Sequence, residues 1–106
     1  MEIDITGRHF QITEPLKVYV SEKVEKLAKF SLKLESVHVV MEVQKFRHIC
    51  EITMLAKQLR LTAKESSTDM YAAFDKCFGN VQLQMGRCHD RLKDHKGKSE
   101  KSEAES

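Results

Sequence analysis

The residues of this chain best suited to chemistry are the cations that follow one another along its last predicted helix. Apolar side chains recur there at intervals of three and four residues, a spacing that predicts an amphipathic helix with one buried stripe. At 100° per residue, one flank of this stripe gathers four cations within about 60° of each other, and the opposite flank carries three more basic residues. The stripe consists of Tyr71, Phe74, Phe78, Val81, Met85, Cys88 and Leu92; the first flank consists of Lys76, Arg87, Arg91 and Lys98, and the second of His89, Lys93 and Lys96.

A helix that is buried on one side and basic on both shoulders is typical of a protein that binds a polyanion such as RNA or DNA. The alternative is a solvated surface helix, since Lys and Arg near a helix C-terminus interact favourably with the helix dipole. The formal net charge is only +2, but residues 86–98 hold five Lys and Arg against two Asp. Any polyanion site is therefore local, and the helix pattern alone leaves both interpretations open.

The chain has three cysteines, Cys50, Cys77 and Cys88, and we expect Cys77 and Cys88 to be small core residues of the second helix. An odd number without a close pairing motif argues against a disulfide framework and for a reducing cytosol. Cys88, His89 and His95 do not have the spacing of zinc ligands, so we expect no metal site. Cysteine on an apolar stripe is most simply a small core residue.

Sequence motifs of catalysis are also missing. We find no Gly-rich phosphate loop, nucleophile elbow or two-histidine metal motif. His38 and His48 are placed across a predicted hairpin from each other, but exposed strand histidines are common. We therefore predict a protein that is not an enzyme and has no catalytic residues, cofactor or small-molecule substrate.

The sequence also predicts a cytoplasmic protein that does not bind membranes. No apolar run approaches the roughly 20 residues that span a bilayer. The N-terminus begins with Glu2 and Asp4 and does not resemble a signal peptide.

The periodicity predicts strand, helix, three strands, helix and tail. Residues 2–6 alternate as a half-buried strand that Gly7 ends, and Thr13 and Pro15 then suit the start of a helix. The expected buried face of that helix is formed by Leu16, Val20, Val24 and Leu27.

Alternation over residues 37–44, 50–56 and 59–64 predicts three antiparallel strands after a connection over residues 31–36. The turns near residues 46–48 and 57–58 lack Gly and Asn, the residues that favour tight hairpin turns. Residues 66–69 offer several N-cap side chains for the second helix. Gly79 and Gly86 lie inside that helix, where each is about 1 kcal/mol worse than Ala, so we expect close packing or a bend there.

The predicted fold class is α+β, a β-α-β-β-β-α sandwich with a four-stranded sheet and two helices packed on one face. Residues 1–95 form the predicted domain. Residues 96–106 have no apolar anchor and form a predicted disordered polar tail.

Several segments resemble, in order, the short ribosome hibernation promoting factor family, also called ribosome-associated inhibitor or sigma-factor modulation protein. The resemblance covers residues 1–95. Its segments are Ile5-Thr6-Gly7 through Ile12-Thr13-Glu14-Pro15-Leu16, Lys23-x-x-Lys26-Leu27, Val43-x-Lys45-x-x-His48, Asp69-Met70-Tyr71-Ala72-Ala73-Phe74-Asp75, and Arg87-x-His89-Asp90-Arg91-Leu92-Lys93-x-His95.

This resemblance implies a fold similar to a double-stranded RNA-binding domain. It also implies a protein that binds the small ribosomal subunit and its RNA in the channel for mRNA and tRNA, and blocks translation in stress or stationary phase. In the family, basic positions on the two helices carry binding, and phosphate contacts need mainly charge at the correct positions. The matching positions here are Lys23, Lys26, Arg87, His89, Arg91 and Lys93; helical spacing adds Lys76.

Two departures from the family pattern concern the middle of the second helix, where Asn80 and Leu83 stand at positions that are often basic. The resemblance leaves two short subtypes open. One promotes ribosome dimers with a separate ribosome modulation factor, and the other keeps single ribosomes inactive; we prefer the first. A general double-stranded RNA-binding module remains a further alternative.

Overall fold

The computed structural model of the protein describes residues 1–29, 34–56 and 59–93, and for residues 88–93 it describes the backbone alone. The observed order of elements confirms the predicted β-α-β-β-β-α order and the α+β class. The elements are β1 (Glu2–Arg8), α1 (Glu14–Ala28), β2 (Leu34–Gln44), β3 (Arg47–Ala56), β4 (Leu59–Ser67) and α2 (Met70–Lys93).

The four strands form one mixed sheet in the order β1-β2-β3-β4. β1 and β2 are parallel, with Ile3 beside Val37, whereas the other two pairs are antiparallel. A parallel pair requires a crossover, and α1 provides it. The turn between β2 and β3 lies at the end of the sheet where β1 and β4 also finish, because Arg8 pairs with Glu42 and His48 pairs with Ser67. Both helices therefore begin at this end and run towards the other.

Both helices bury their apolar side chains against the same face of the sheet. All four residues of the predicted α1 face are at most 5% exposed, which confirms that prediction. The alternation predicted for β2, β3 and β4 is also confirmed in the core. The sheet contributes Val37, Val39, Met41, Cys50, Ile52, Met54, Leu61 and Ala63, and α2 contributes Met70, Ala73, Phe74, Cys77, Phe78, Val81 and Met85.

Among the stripe residues whose side chains the structure describes, Tyr71 is the one that lies at the surface, with 42% of the residue exposed. The prediction that it is a core residue is wrong, because Met70 and Ala73 bury the first turn of the helix instead. The core position predicted for Cys77 is confirmed, and Cys50 on β3 is buried as well. The side chains of Cys88 and Leu92 lie outside the described part.

The glycines differ from their predicted roles. Gly7 does not end β1, which continues to Arg8; a Cβ at Gly7 would overlap the carbonyl oxygen of Phe10, so the close return of the chain requires glycine here. A Cβ at Gly79 or Gly86 would meet nothing within 4 Å. Of the two expectations for these glycines, close packing or a bend, close packing of α2 is therefore wrong.

The start of each helix is capped by a side chain. The Thr13 hydroxyl accepts a hydrogen bond from the Leu16 amide at 3.4 Å, as predicted. Asp69 caps α2, since its Oδ1 accepts from the Ala72 amide at 3.0 Å. Ser66 and Ser67, two other candidate caps, belong to β4.

Three predicted features fall wholly or partly outside the described residues: the connection over 31–36, which β2 enters at Leu34, the turn at 57–58 and the tail over 96–106. Within the described part, no helix combines the length and the apolar character that a bilayer span needs.

Candidate nucleic-acid interface

The two lysines of α1 that were predicted to bind RNA line a groove between α1 and α2. The groove has a volume of about 610 Å³, and Lys23 and Lys26 border it from α1 while Asp75, Phe78 and Gln82 border it from α2. Lys29 adds a third cation, whereas Glu22 and Glu25 add carboxylates. The groove is therefore of mixed charge, and its lysines suit single phosphate contacts better than a uniformly positive channel.

Tyr19 positions one of these lysines and joins the two helices. The Lys23 ammonium lies 5.1 Å from the centroid of the Tyr19 ring, within the range of a cation–π contact. The Tyr19 hydroxyl donates to Asp75 Oδ1 across the groove at 2.8 Å, and this bond raises the pKa of Tyr19. Tyr19 also meets Tyr71 edge-on at 5.1 Å. Helical spacing did not single out Tyr19; its only signal was a polar aromatic residue one turn before Lys23.

The first basic flank of α2, to which Lys76 and Arg87 belong, lies on the side of the helix that faces the edge strand β4. Lys76 Nζ donates to the Ser66 carbonyl at 3.2 Å, and Arg87 is half-buried three turns further along the helix. Between them, Gln84 donates to the Thr62 carbonyl at 2.9 Å. The structure thus divides the predicted site between the groove and the β4 edge, and does not gather it into one patch.

The non-basic positions in the middle of α2 have different surroundings. Asn80 donates to a Glu65 carboxylate oxygen at 2.9 Å and accepts from Gln84, so it supports the packing of α2 on β4. Leu83 is 63% exposed and makes no comparable contribution to the core.

Three of the predicted site residues, His89, Arg91 and Lys93, lie within the helical span of α2, but their side chains lie outside the description. Lys96 and Lys98 lie outside the described residues altogether.

The histidines considered for catalysis are not neighbours. His38 pairs with Thr53 and contacts Asp4, with Nδ1 and Oδ2 3.4 Å apart, whereas His48 pairs with Val43 and packs edge-on against Phe10. The prediction that they face each other is wrong, because the hairpin turns at residues 45–46 and its register separates them by five residues.

The two described cysteine thiols lie in the core between β3, β4 and α2. A hydrogen bond with Cys77 and burial both raise the pKa of Cys50 far above its usual range, so Cys50 remains a thiol at neutral pH. Cys77 Sγ lies 3.2 Å from the Ala63 carbonyl oxygen, to which it donates. Among the described residues, no cluster of three or more His, Cys, Asp or Glu side chains could hold a metal ion.

A mixed four-stranded sheet with two helices on one face is the fold of known ribosomal subunit interface proteins. The structure of such a protein from Coxiella burnetii superposes with a TM-score of 0.77 over 84% of this chain and 98% of that one; at 19% identity it establishes the fold alone. The N-terminal domain of Protein Y from Thermus thermophilus superposes with a TM-score of 0.74 at 26% identity, over 82% of this chain and 98% of that one.

Sequence comparison gives the family. The profile of the family described as sigma 54 modulation protein / S30EA ribosomal protein matches residues 3–93. The ribosome hibernation promoting factor of Salmonella typhimurium is 35% identical over 95 residues, which cover 90% of this chain and all of that protein. The factor of the same name from Pseudomonas putida is 32% identical, over 94% of this chain and 91% of that one. The chain belongs to this family of ribosome hibernation promoting factors.

Proposed function

We propose that this protein binds the small ribosomal subunit through the basic faces of α1 and α2. There it occupies the channel for mRNA and tRNA and inhibits translation in stress or stationary phase. The resemblance of its sequence to the family supports this role, and so do the names of its relatives, which are ribosome hibernation promoting factors. In this proposal the protein is a cytoplasmic binding factor and not an enzyme, and it works without a cofactor.

The observation that carries the proposal is the availability of the helix cations. Within the described residues, the ion pair between an arginine or lysine and a carboxylate is Arg8–Glu42, and His38 contacts Asp4; both contacts lie on the sheet. Lys23, Lys26 and Arg87 thus lie on the helical side without a carboxylate partner among the described side chains. Cations that the fold does not neutralise can release counterions from an RNA backbone when they bind phosphates.

Two finer outcomes of binding belong to this proposal. We propose that the protein promotes ribosome dimers together with a separate ribosome modulation factor. The alternative is that it holds single ribosomes inactive. Gradient profiles of ribosomes mixed with the protein, with and without that factor, separate the two: a dimer peak that needs both proteins supports the first.

The test of the proposed function is co-sedimentation with small subunits, large subunits and whole ribosomes, with naked duplex RNA as the comparison. We expect binding to small subunits and whole ribosomes that weakens as salt rises, since phosphate contacts are screened and counterion release is lost. Equal or tighter binding to naked duplex RNA would instead favour a general double-stranded RNA-binding module.

A further inference from the structure

The turn between β2 and β3 presents an aromatic ring to solvent between two cations. Phe46 is 89% exposed, more than Leu83 at 63% or any other exposed large apolar residue of the described chain. Lys45 and Arg47 stand on either side of it and are also exposed. An apolar ring with so large an exposed fraction contributes little to the core, so the stability of the fold does not explain why a phenylalanine lies here.

The backbone of this turn adds an independent observation. Gln44 pairs with Arg47, which leaves a two-residue turn in which Lys45 has φ of 55°. Positive φ in such turns favours Gly, Asn or Asp, because a larger side chain is strained there. A lysine at a position that suits glycine breaks the local preference of the turn, and such strain is characteristic of functional sites.

The charges around the ring suit a polyanion. Arg47 Nη2 donates to Ser66 Oγ at 3.2 Å, which holds the guanidinium beside the turn. Arg8 lies at the same end of the sheet, 4.0 Å from Glu42, which also accepts from Gln44 at 3.1 Å. Two cations, Lys45 and Arg47, therefore flank the exposed ring, and the Arg8–Glu42 pair lies at the same end of the sheet.

The turn lies far from the helix cations. It marks the end of the sheet at which both helices begin, whereas Lys23, Lys26 and Arg87 lie in the later turns of those helices. From Met70 to Arg87, α2 rises about 25 Å. A contact at the turn would therefore engage a different part of a bound RNA from the helix faces.

We propose that Lys45, Phe46 and Arg47 form a second RNA contact, in which the Phe46 ring stacks on an unpaired base and the two cations bind the flanking phosphates. Stacking on an aromatic ring accepts any base, because every base has a π face. The flanking cations favour this partner over an apolar pocket of a protein, which would leave both charges without a counterpart. The inference rests on the proposed binding to the small ribosomal subunit and adds a site to it.

The first test compares small-subunit binding by Phe46→Ala, Phe46→Leu and Phe46→Tyr with that of the unaltered protein. Loss of one stacked base weakens binding by roughly 5- to 150-fold. We expect this loss for Ala and for Leu, which has no π face, and near-normal binding for Tyr. Because the side chain is exposed, all three variants should keep the melting temperature of the unaltered protein.

The second test uses the absence of tryptophan from the chain. Phe46→Trp creates a single tryptophan, and stacking on a base should quench the tryptophan emission when small subunits are added. Val18→Trp is the matched control: Val18 is 45% exposed on α1, with Glu14 and Glu22 one turn away on either side. We expect the control to show much weaker quenching.

The charge component is tested by Lys45→Gly. Glycine relieves the positive φ, so the melting temperature should not fall, whereas binding and its salt dependence should both decrease.

Several outcomes would overturn the inference. Normal binding by Phe46→Ala would show that the turn makes no contact. Normal binding by Phe46→Leu beside weakened Phe46→Ala, with unquenched emission from the Phe46→Trp variant, would indicate an apolar protein pocket. If the unaltered protein itself failed to bind small subunits, the proposed function would fall, and these variants would not be the cause.

Discussion

At Phe74 the aromatic ring is fully buried between two others: it stacks on Phe78 at a centroid distance of 5.2 Å and meets Tyr19 edge-on at 5.9 Å. These contacts place it where α1, α2 and the sheet meet. Single residues of this kind decide the stability of a small domain, whose total free energy of unfolding is about 5–15 kcal/mol.

Phe74→Ala should lower the free energy of unfolding by about 3–5 kcal/mol, because it removes a buried ring and leaves a cavity. Denaturant unfolding followed by circular dichroism measures this loss. Leu83→Ala is the control, since Leu83 is 63% exposed and should change stability by less than about 0.5 kcal/mol. An unchanged midpoint for Phe74→Ala would contradict the observed packing.

Replacing a glycine with alanine should have opposite effects on stability at different positions of this chain. Gly79→Ala and Gly86→Ala should each raise the free energy of unfolding by about 0.5–1 kcal/mol, because Ala favours the helix and its methyl group enters open space. Gly7→Ala should lower it by about 1–3 kcal/mol, since the added Cβ collides with the Phe10 backbone. Thermal melts of the three variants check both directions. Destabilisation by all three would show that α2 is more crowded than its geometry indicates.

At the scale of elements, the Tyr19–Asp75 hydrogen bond joins α1 to α2 across the groove. The pKa of Tyr19 is raised above its usual value near 10, chiefly by this bond, so folding favours the protonated hydroxyl. The stability from the bond is therefore complete below the unfolded pKa and is lost as pH rises through the folded pKa.

Tyr19→Phe should lower the free energy of unfolding by about 1 kcal/mol at neutral pH. The difference from the unaltered protein should shrink above about pH 10, where the hydroxyl ionises. Urea unfolding at neutral pH and above about pH 10 measures the difference in the free energy of unfolding. Tyr71→Phe is the control, because the Tyr71 hydroxyl makes no hydrogen bond to the described residues. A difference that stays constant with pH would show that the bond is not the source of stability.

Periodicity predicted the elements well, since burial against a single layer imposes a period of 3.6 on helices and of two on strands. Val20 and Ile52 are examples: each was placed on the correct face and each is fully buried. Periodicity could not predict that Tyr71 is exposed, because the neighbouring helix decides whether a residue at the edge of an apolar stripe is covered.

The sequence predicted which cations belong to the candidate site, but not how they are arranged in space. Helical spacing shows that Lys76 and Arg87 lie on the same side of α2. It cannot show that this side faces β4, or that Lys23 lies in the groove, because both placements depend on tertiary packing. Phe46 carried a signal that spacing ignores, namely an aromatic residue in a turn where polar residues are usual.

At the scale of the whole molecule, the helices cover one face of the sheet and leave the other open. The open face also carries cations, including Arg60 and Lys64, and Lys64 lies opposite Glu51 on the neighbouring strand. Because the proposed RNA-binding side is the helical side, equal charges on the two sides should contribute unequally to binding.

The most direct test measures how small-subunit affinity depends on salt for three double variants: Lys23→Gln with Lys26→Gln, Arg87→Gln with Arg91→Gln, and the control Arg60→Gln with Lys64→Gln. Each removes two positive charges. The two helix variants should bind more weakly and flatten the slope of log affinity against log salt by about 1.5–2, while the control keeps the slope of the unaltered protein. A flattened slope for the control, with unaltered slopes for both helix variants, would contradict the account.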